Sequence, residues 1–413
     1  MSTNTKTNGV AVICAGLRGT AVALALHSQS IPCRTLEAKT ADSDILSSGV
    51  SITPNGCRIL DELGILSRVE DKSYICEYTA NKDADDKTLR KMRIASDTYP
   101  CYRLYRLALL KEMKATLAER KVPIFYGMKL ENIISDTTEG VIFQVCDRTE
   151  SATMVIGSDG IYSTLRRHIT DLVPVHANLL CVYGHISTES VQWPDQDFAA
   201  GCTSLGKPGC LSMVPEVIDG SDLMVGTQFT YPEADRKGWE SLASDPSSLV
   251  TLLRKDYGQW HDAAKHAIDE LCKRPEGTLC WPFYAMPKLS SWSSSPGNDI
   301  MIGDAAHAMP ASSGQGVNQA SEDAFSFTKV LSEQLNDEAW PSVLSTWQSW
   351  RQDKIERIHE MMGVTNMMRL FEVERSKLMQ AAGEEQSTKT DLQWLSYLYL
   401  ETLEAKLAEQ RKI

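Results

Sequence analysis

The chain has 413 residues, 42% of them hydrophobic, and its 42 lysines and arginines against 54 aspartates and glutamates leave a net charge of −12. That length exceeds what one compact core usually holds and points to two domains. The acidic balance argues against nucleic acid or an anionic membrane as partner.

Eleven scattered cysteines without a C-x-x-C pair read as free thiols of a reducing compartment. The opening MSTNTKTNG lacks an apolar h-region. No apolar run approaches the roughly 18 residues that a membrane span needs. A cytoplasmic protein is expected.

In chain order, residues 10–13 (VAVI) predict a buried strand, 20–28 a helix and 33–38 (CRTLEA) a second strand, together a βαβ unit. PNGCRILDELGIL (54–66) predicts a helix ending at Gly64, and residues 106–121 an amphipathic helix. The strand-like runs VPIFYGMKLENI, VIFQVCD and ATMVIGSDG then return the chain to the sheet. From about residue 176 the runs 179–187, 209–217 and 222–231 alternate apolar and polar, joined by Gly, Pro and Asp; they predict an antiparallel sheet in a second domain. A Ser- and Gly-rich linker (288–299) precedes the strand IMIGD, and helices follow. LQWLSYLYLETL (392–403) reads as a packed C-terminal helix or an association surface.

The first strand runs into CAGLRGT, where a dinucleotide-binding fold has G-x-G-x-x-G. Gly16 and Gly19 keep the second and third glycine positions: one admits a pyrophosphate to the backbone, the other lets helix and strand pack closely. The helix beginning near Gly16 offers unpaired N–H groups and a positive dipole end. Glu37 ends the second strand at the place where a carboxylate receives adenosine ribose hydroxyls, which fits FAD or NAD and disfavours NADP. Cys14 holds the first glycine position and predicts backbone strain there. Arg18 is the second departure, either adding to phosphate binding or pointing to solvent.

Two further stretches, VIGSDGIYSTLRR (155–167) and IMIGDAAHAMPASSGQGVNQASEDA (300–324), decide between FAD and NAD. Both resemble the paired signatures of the class A FAD-dependent aromatic monooxygenases, the family of p-hydroxybenzoate hydroxylase and salicylate hydroxylase, and the likeness extends along nearly the whole chain. The resemblance implies an α/β fold, with a Rossmann-type FAD-binding domain (1–75, 102–175 and 286–365), an inserted antiparallel-sheet substrate domain (76–101 and 176–285) and C-terminal helices (366–413). By resemblance, Arg106 contacts the FAD phosphates, Asp159 and Gly160 support the pyrophosphate region, and Asp304 faces the ribityl chain. Gly314, Gly316 and Val317 open a helix aimed at the flavin's pyrimidine edge, where its N-terminus would stabilise negative charge on reduced flavin.

The resemblance also implies the reaction. NADH or NADPH, visiting transiently, reduces non-covalently bound FAD. O2 then gives a C4a-hydroperoxide that delivers one oxygen to an electron-rich aromatic, indolic or enolic small molecule. A flavoprotein oxidase or dehydrogenase on the same fold, or a non-catalytic flavin-binding protein, are the alternatives. Strand alternation offers Tyr183 and His185 as candidates to hold or deprotonate a substrate hydroxyl. Phe229, Trp281, Phe283, Met309 and Pro310 are candidates for an apolar, aromatic slot. The runs 179–187 and 222–231 carry no Lys or Arg, which points to a neutral substrate.

Overall fold

The computed structural model describes residues 9–43, 48–83, 85, 87–194, 201–334, 340–382, 403 and 406–408. The tail stretch 392–402 lies outside them.

Five strands form a parallel sheet in the order Asp299–Met301, Met154–Gly157, Val10–Ile13, Cys33–Glu37, Ile124–Tyr126. Val10–Ile13 is central, and its two neighbours belong to opposite windings of the chain, so the C-terminal ends of these strands splay into a crevice there. The helix Leu17–Ser28 follows that strand at once, and residues 19–26 are all buried. A helix apolar all round is one enclosed on all sides, here between the sheet and the helices Arg106–Glu119 and Gly316–Gln334. It starts three residues before the predicted Thr20 because Gly16 is its N-cap.

The three strand-like runs after residue 121 do not all rejoin this sheet. Leu130–Thr137, Gly140–Val145 and Arg148–Ala152 form their own antiparallel sheet, and only the segments on either side are parallel strands.

A seven-stranded sheet has the order Leu279–Ala285, Val175–Ser187, Asp222–Thr230, Gly209–Pro215, Cys202–Gly206, Tyr78–Lys82, Thr88–Arg93, antiparallel except where Cys202–Gly206 meets Tyr78–Lys82. Three helices that the alternation did not reveal, Arg236–Ala243, Pro246–Leu253 and Asp262–Cys272, cover one face of it. Leu180, Val182, Leu211, Met213, Leu223 and Val225 pack beneath them with Ile268 and Leu271. The opposite face, carrying Cys181, Tyr183, His185 and Ser212, remains for the cofactor side.

Candidate cofactor and substrate site

At the first turn the Cys14 N–H donates to the Leu36 carbonyl at 2.7 Å, and its φ of +83° lies in the region that glycine favours. The expected strain is therefore present, on the order of 1–3 kcal/mol for a non-glycine residue so held. Burial first, and then the nearby Glu37 carboxylate, push the Cys14 thiol up to about 11, so it stays protonated and is a poor nucleophile. A Cβ at position 19 would sit 1.8 Å from the Cys14 carbonyl oxygen, so only glycine fits there. At Gly16 a Cβ would meet nothing closer than the Cys14 Sγ at 3.6 Å. The protein thus leaves space over Gly16, beside a helix end with no side-chain cap. Its orphan N–H groups suit an anion.

Around that end stand the charged groups of the fingerprint. The Glu37 carboxylate accepts from the Ala15 N–H at 2.6 Å and the Lys39 N–H at 2.9 Å. Each oxygen keeps a lone pair for a ligand hydroxyl. Arg106 opens the helix Arg106–Glu119. Burial, and next the nearby Arg18 guanidinium, lower its pKa, and an anion bound beside it would favour its charged form. Arg18 does not point to solvent. It ion-pairs with Asp304 and crosses Gly303, where a Cβ would lie 2.5 Å from Arg18 Cδ, while its Nε is buried without a partner.

Asp159 Oδ2 accepts the Thr164 N–H at 2.7 Å and so caps the helix Thr164–Ile169, while its Oδ1 is buried and unpartnered; Gly160 has φ +77°. Arg166 of that helix donates to the Ala305 carbonyl at 3.1 Å and ties this loop to the segment holding Asp304.

The second glycine-rich segment rests on buried charge. The Gly303 N–H donates to Asp323 Oδ2 at 3.0 Å, and His307 Nε2 lies 2.6 Å from the same oxygen. Arg351 donates to Asp323 Oδ1 at 2.7 Å and to Glu322 Oε2 at 2.6 Å, and all three side chains are fully buried. Burial alone would raise the Asp323 carboxyl, but His307 and Arg351 outweigh it and hold it far below the usual carboxylate range. Asn318 Nδ2 donates to the Ser51 and Gly314 carbonyls at 3.0 and 2.8 Å, pinning the loop before the helix Gly316–Gln334 to the strand Gly49–Ile52.

Beside this loop is a cavity of about 680 Å³, walled by Ser312–Gln315, the strand pair Tyr78–Lys82 and Thr88–Arg93, and the last turns of the long helix Trp340–Met368. Its cations are Arg90, Arg93 and Arg369, and among the described residues no Asp or Glu lines it. The expectation of a neutral substrate was drawn from the runs 179–187 and 222–231, which do not line this cavity; its arginines arrive from Thr88–Arg93 and from just past the long helix.

None of the seven candidate substrate or catalytic residues lines that cavity. Phe229 points to the helix-covered face and packs in that core. Its alternation was legible, but not which face met helices. Phe283 is buried with Leu179 and Leu370, and Trp281 is 49% exposed. Met309 packs on Ile358 and Met362, and Pro310 is buried just before the Ala311–Ser313 turn, so both lie behind the wall. Tyr183 and His185 do share the cofactor-side face. Burial, with Cys181 next, pushes the Tyr183 hydroxyl up to about 12, so it is a hydrogen-bond donor at neutral pH. His185 Nε2 lies 3.6 Å from the buried Glu216, which also pairs with Arg103.

The family described as "FAD binding domain" matches residues 7–205 and 292–361. The chain belongs to the class A FAD-dependent monooxygenases. Among the monooxygenase's relatives, a 3-amino-4-hydroxybenzoate 2-monooxygenase of Streptomyces platensis is 26% identical over 330 residues, covering 78% of this chain and 79% of that one. A 6-hydroxynicotinate 3-monooxygenase of Bordetella bronchiseptica is 24% identical over 333 residues, 78% of this chain and 82% of that one. In fold it is similar to Klebsiella pneumoniae HpxO, solved with FAD and uric acid, at a TM-score of 0.75, 21% identity, and coverage of 91% and 93%.

The monooxygenase's residues fit FAD: an open glycine cradle, a helix end, two neighbouring arginines and two placed carboxylates. Sequence reasoning passed over Arg166, Asp323, Arg351 and Asn318, which touch other protein groups around the two signatures. Only the run of polar residues inside the helix segment VNQASEDA, of which Asn318, Gln319, Glu322 and Asp323 are buried, could have signalled the network.

Proposed function

We propose that this monooxygenase uses NADH or NADPH and O2 to add one oxygen to an electron-rich aromatic small molecule bearing an acidic group. Bound FAD supplies the electron transfer and oxygen activation. The chain's residues bind and orient. Gly16, Gly19, Arg106 and Arg18 would hold the pyrophosphate, with Asp159 and Gly160 shaping the loop opposite. Glu37 would take the adenosine ribose hydroxyls and Asp304 the ribityl chain. Gly314, Gly316 and Val317 would present the helix N-terminus to the pyrimidine edge. The division into an FAD-binding part and a substrate part belongs to the same reading.

The observation that carries the substrate class is the charge of the cavity: three arginines and, among the described residues, no carboxylate in its lining. Arg93 already pairs with Asp97 at 2.6 Å. For Arg369, no ion pair is found among the described residues, and a guanidinium at an apolar wall of methionines favours a planar anion held in two hydrogen bonds. Enclosure of the substrate beside the flavin loop would keep water from the reacting centre. Tyr183 and His185, away from the lining, receive no proton-transfer role in this reading.

The test is a panel of hydroxybenzoates, hydroxynicotinates, neutral phenols and indoles, scored by stimulated NAD(P)H consumption and by product mass. Acids that stimulate turnover, with a KM raised at least tenfold in Arg369→Gln at little cost in kcat, support the proposal. Preference for neutral phenols or indoles, indifferent to Arg369, overturns the substrate class while leaving the flavin chemistry standing.

A further inference from the structure

Behind the cofactor crevice, three ligand-type side chains from separate elements converge. Asp299 begins the edge strand Asp299–Met301, His168 lies in the last turn of the helix Thr164–Ile169, and Asp136 is in the strand Leu130–Thr137. One ligand atom of each lies within 4.8 Å of the other two. The Asp299 side chain is fully buried, and neither of its oxygens has a hydrogen-bond partner; both oxygens of Asp136 are likewise shielded and unpartnered. His168 Nε2 faces Asp299 Oδ2 at 3.4 Å, too long for a good hydrogen bond, and its side chain is 35% exposed. Among the described residues, neither carboxylate has a lysine or arginine partner.

Two carboxylates taken out of water, with their lone pairs unmet and no lysine or arginine beside them among the described residues, are costly unless something fills the gap between them. An imidazole nitrogen turned into the same gap, with an open side toward solvent, gives a two-oxygen, one-nitrogen donor set with room for water as a further ligand. That set suits zinc or manganese rather than calcium, which prefers oxygen alone.

We propose that Asp136, His168 and Asp299 form a binding site for a divalent first-row metal ion, separate from the flavin site. The ion would neutralise the two carboxylates. It would also clamp the helix after Asp159 to the strand before Asp304, and so brace from behind the two loops that carry the cofactor signatures. Its place is structural, since Asp299 begins its strand, at the end of the parallel sheet opposite the C-terminal ends where the crevice opens.

The experiment uses the FAD-loaded protein, stripped with chelator and titrated separately with Zn2+ and Mn2+ by calorimetry and thermal melting. The second ion controls for zinc capture by the cysteines, since manganese binds thiolates poorly. The site predicts saturable binding of one ion per chain and a melting point that rises with metal concentration. Asp299→Asn, which keeps shape and removes charge, abolishes both effects, and His168→Ala weakens them. Should Asp299→Asn not fold, Asp136→Asn and His168→Ala carry the same comparison. Absence of saturable binding of either ion, with Asp299→Asn as stable as the parent or more so, would show a carboxyl pair sharing a proton and overturn the proposal. Binding unchanged in the variants would place the metal elsewhere and overturn it equally.

Discussion

The two glycine-rich segments of the proposed flavin site are supported in opposite ways. The turn at 14–19 is held by backbone geometry: one carbonyl approaching Gly19, one strained cysteine, and a carboxylate that accepts main-chain N–H groups. The segment 303–316 is held by a fully buried set of charges, Asp323, Arg351 and Glu322, with His307 beside them. Backbone support tolerates a changed side chain wherever the chain path survives, as Cys14 shows. Buried charge does not, because removing one partner leaves the others under-compensated away from water.

The largest effect should therefore follow Arg351→Ala, which takes the shared cation from two buried carboxylates, leaving His307 with Asp323 and Lys354 with Glu322, and should cost about 3–5 kcal/mol. Urea unfolding would read this as a lower midpoint at constant slope, together with flavin loss. A loss below about 1 kcal/mol would mean that the network reorganises and is not the support described.

Next is Asp304→Ala. It removes the proposed ribityl ligand and the partner of Arg18, a charge-assisted contact worth about 1.5–3 kcal/mol and hence over tenfold in FAD affinity. Protein purified with full flavin and an unchanged dissociation constant would contradict the placement.

Glu37→Ala is expected to weaken FAD several-fold while leaving FMN nearly unaffected, since FMN has no adenosine ribose. Equal losses for the two nucleotides would show that the carboxylate only braces the turn.

The smallest change is Cys14→Gly. Relief of positive-φ strain, on the order of 1–3 kcal/mol, is opposed by about 0.4–1 kcal/mol of added unfolded-chain entropy. The melting point should rise slightly and flavin stay bound. A fall in either would mean that the thiol itself supports the turn.

The same contrast explains what the sequence could reveal. Close approach of a backbone to a phosphate needs glycine at fixed spacing, so Gly16, Gly19 and the parallel sheet around Val10–Ile13 were legible from local pattern. Alternation showed that Phe229 and Val225 share a face, but not that the helices between residues 236 and 272 cover it. The cavity wall was illegible for a related reason. Arg90 and Arg369 are far apart in sequence and on different element types, and only the seven-stranded sheet and the long helix bring them to one space. Arg351 and Asp323 met in the same way, on two helices whose packing no local period encodes.

The central claim, that this FAD-binding chain inserts oxygen into an acidic aromatic compound, is tested most directly by turnover of the purified FAD-loaded protein under isotopically heavy O2, with NAD(P)H and whichever acid stimulates its oxidation. The account predicts a product carrying one heavy oxygen atom, formed in proportion to the NAD(P)H consumed. A dehydrogenated product with no label, or peroxide alone with every acid tested, would contradict it.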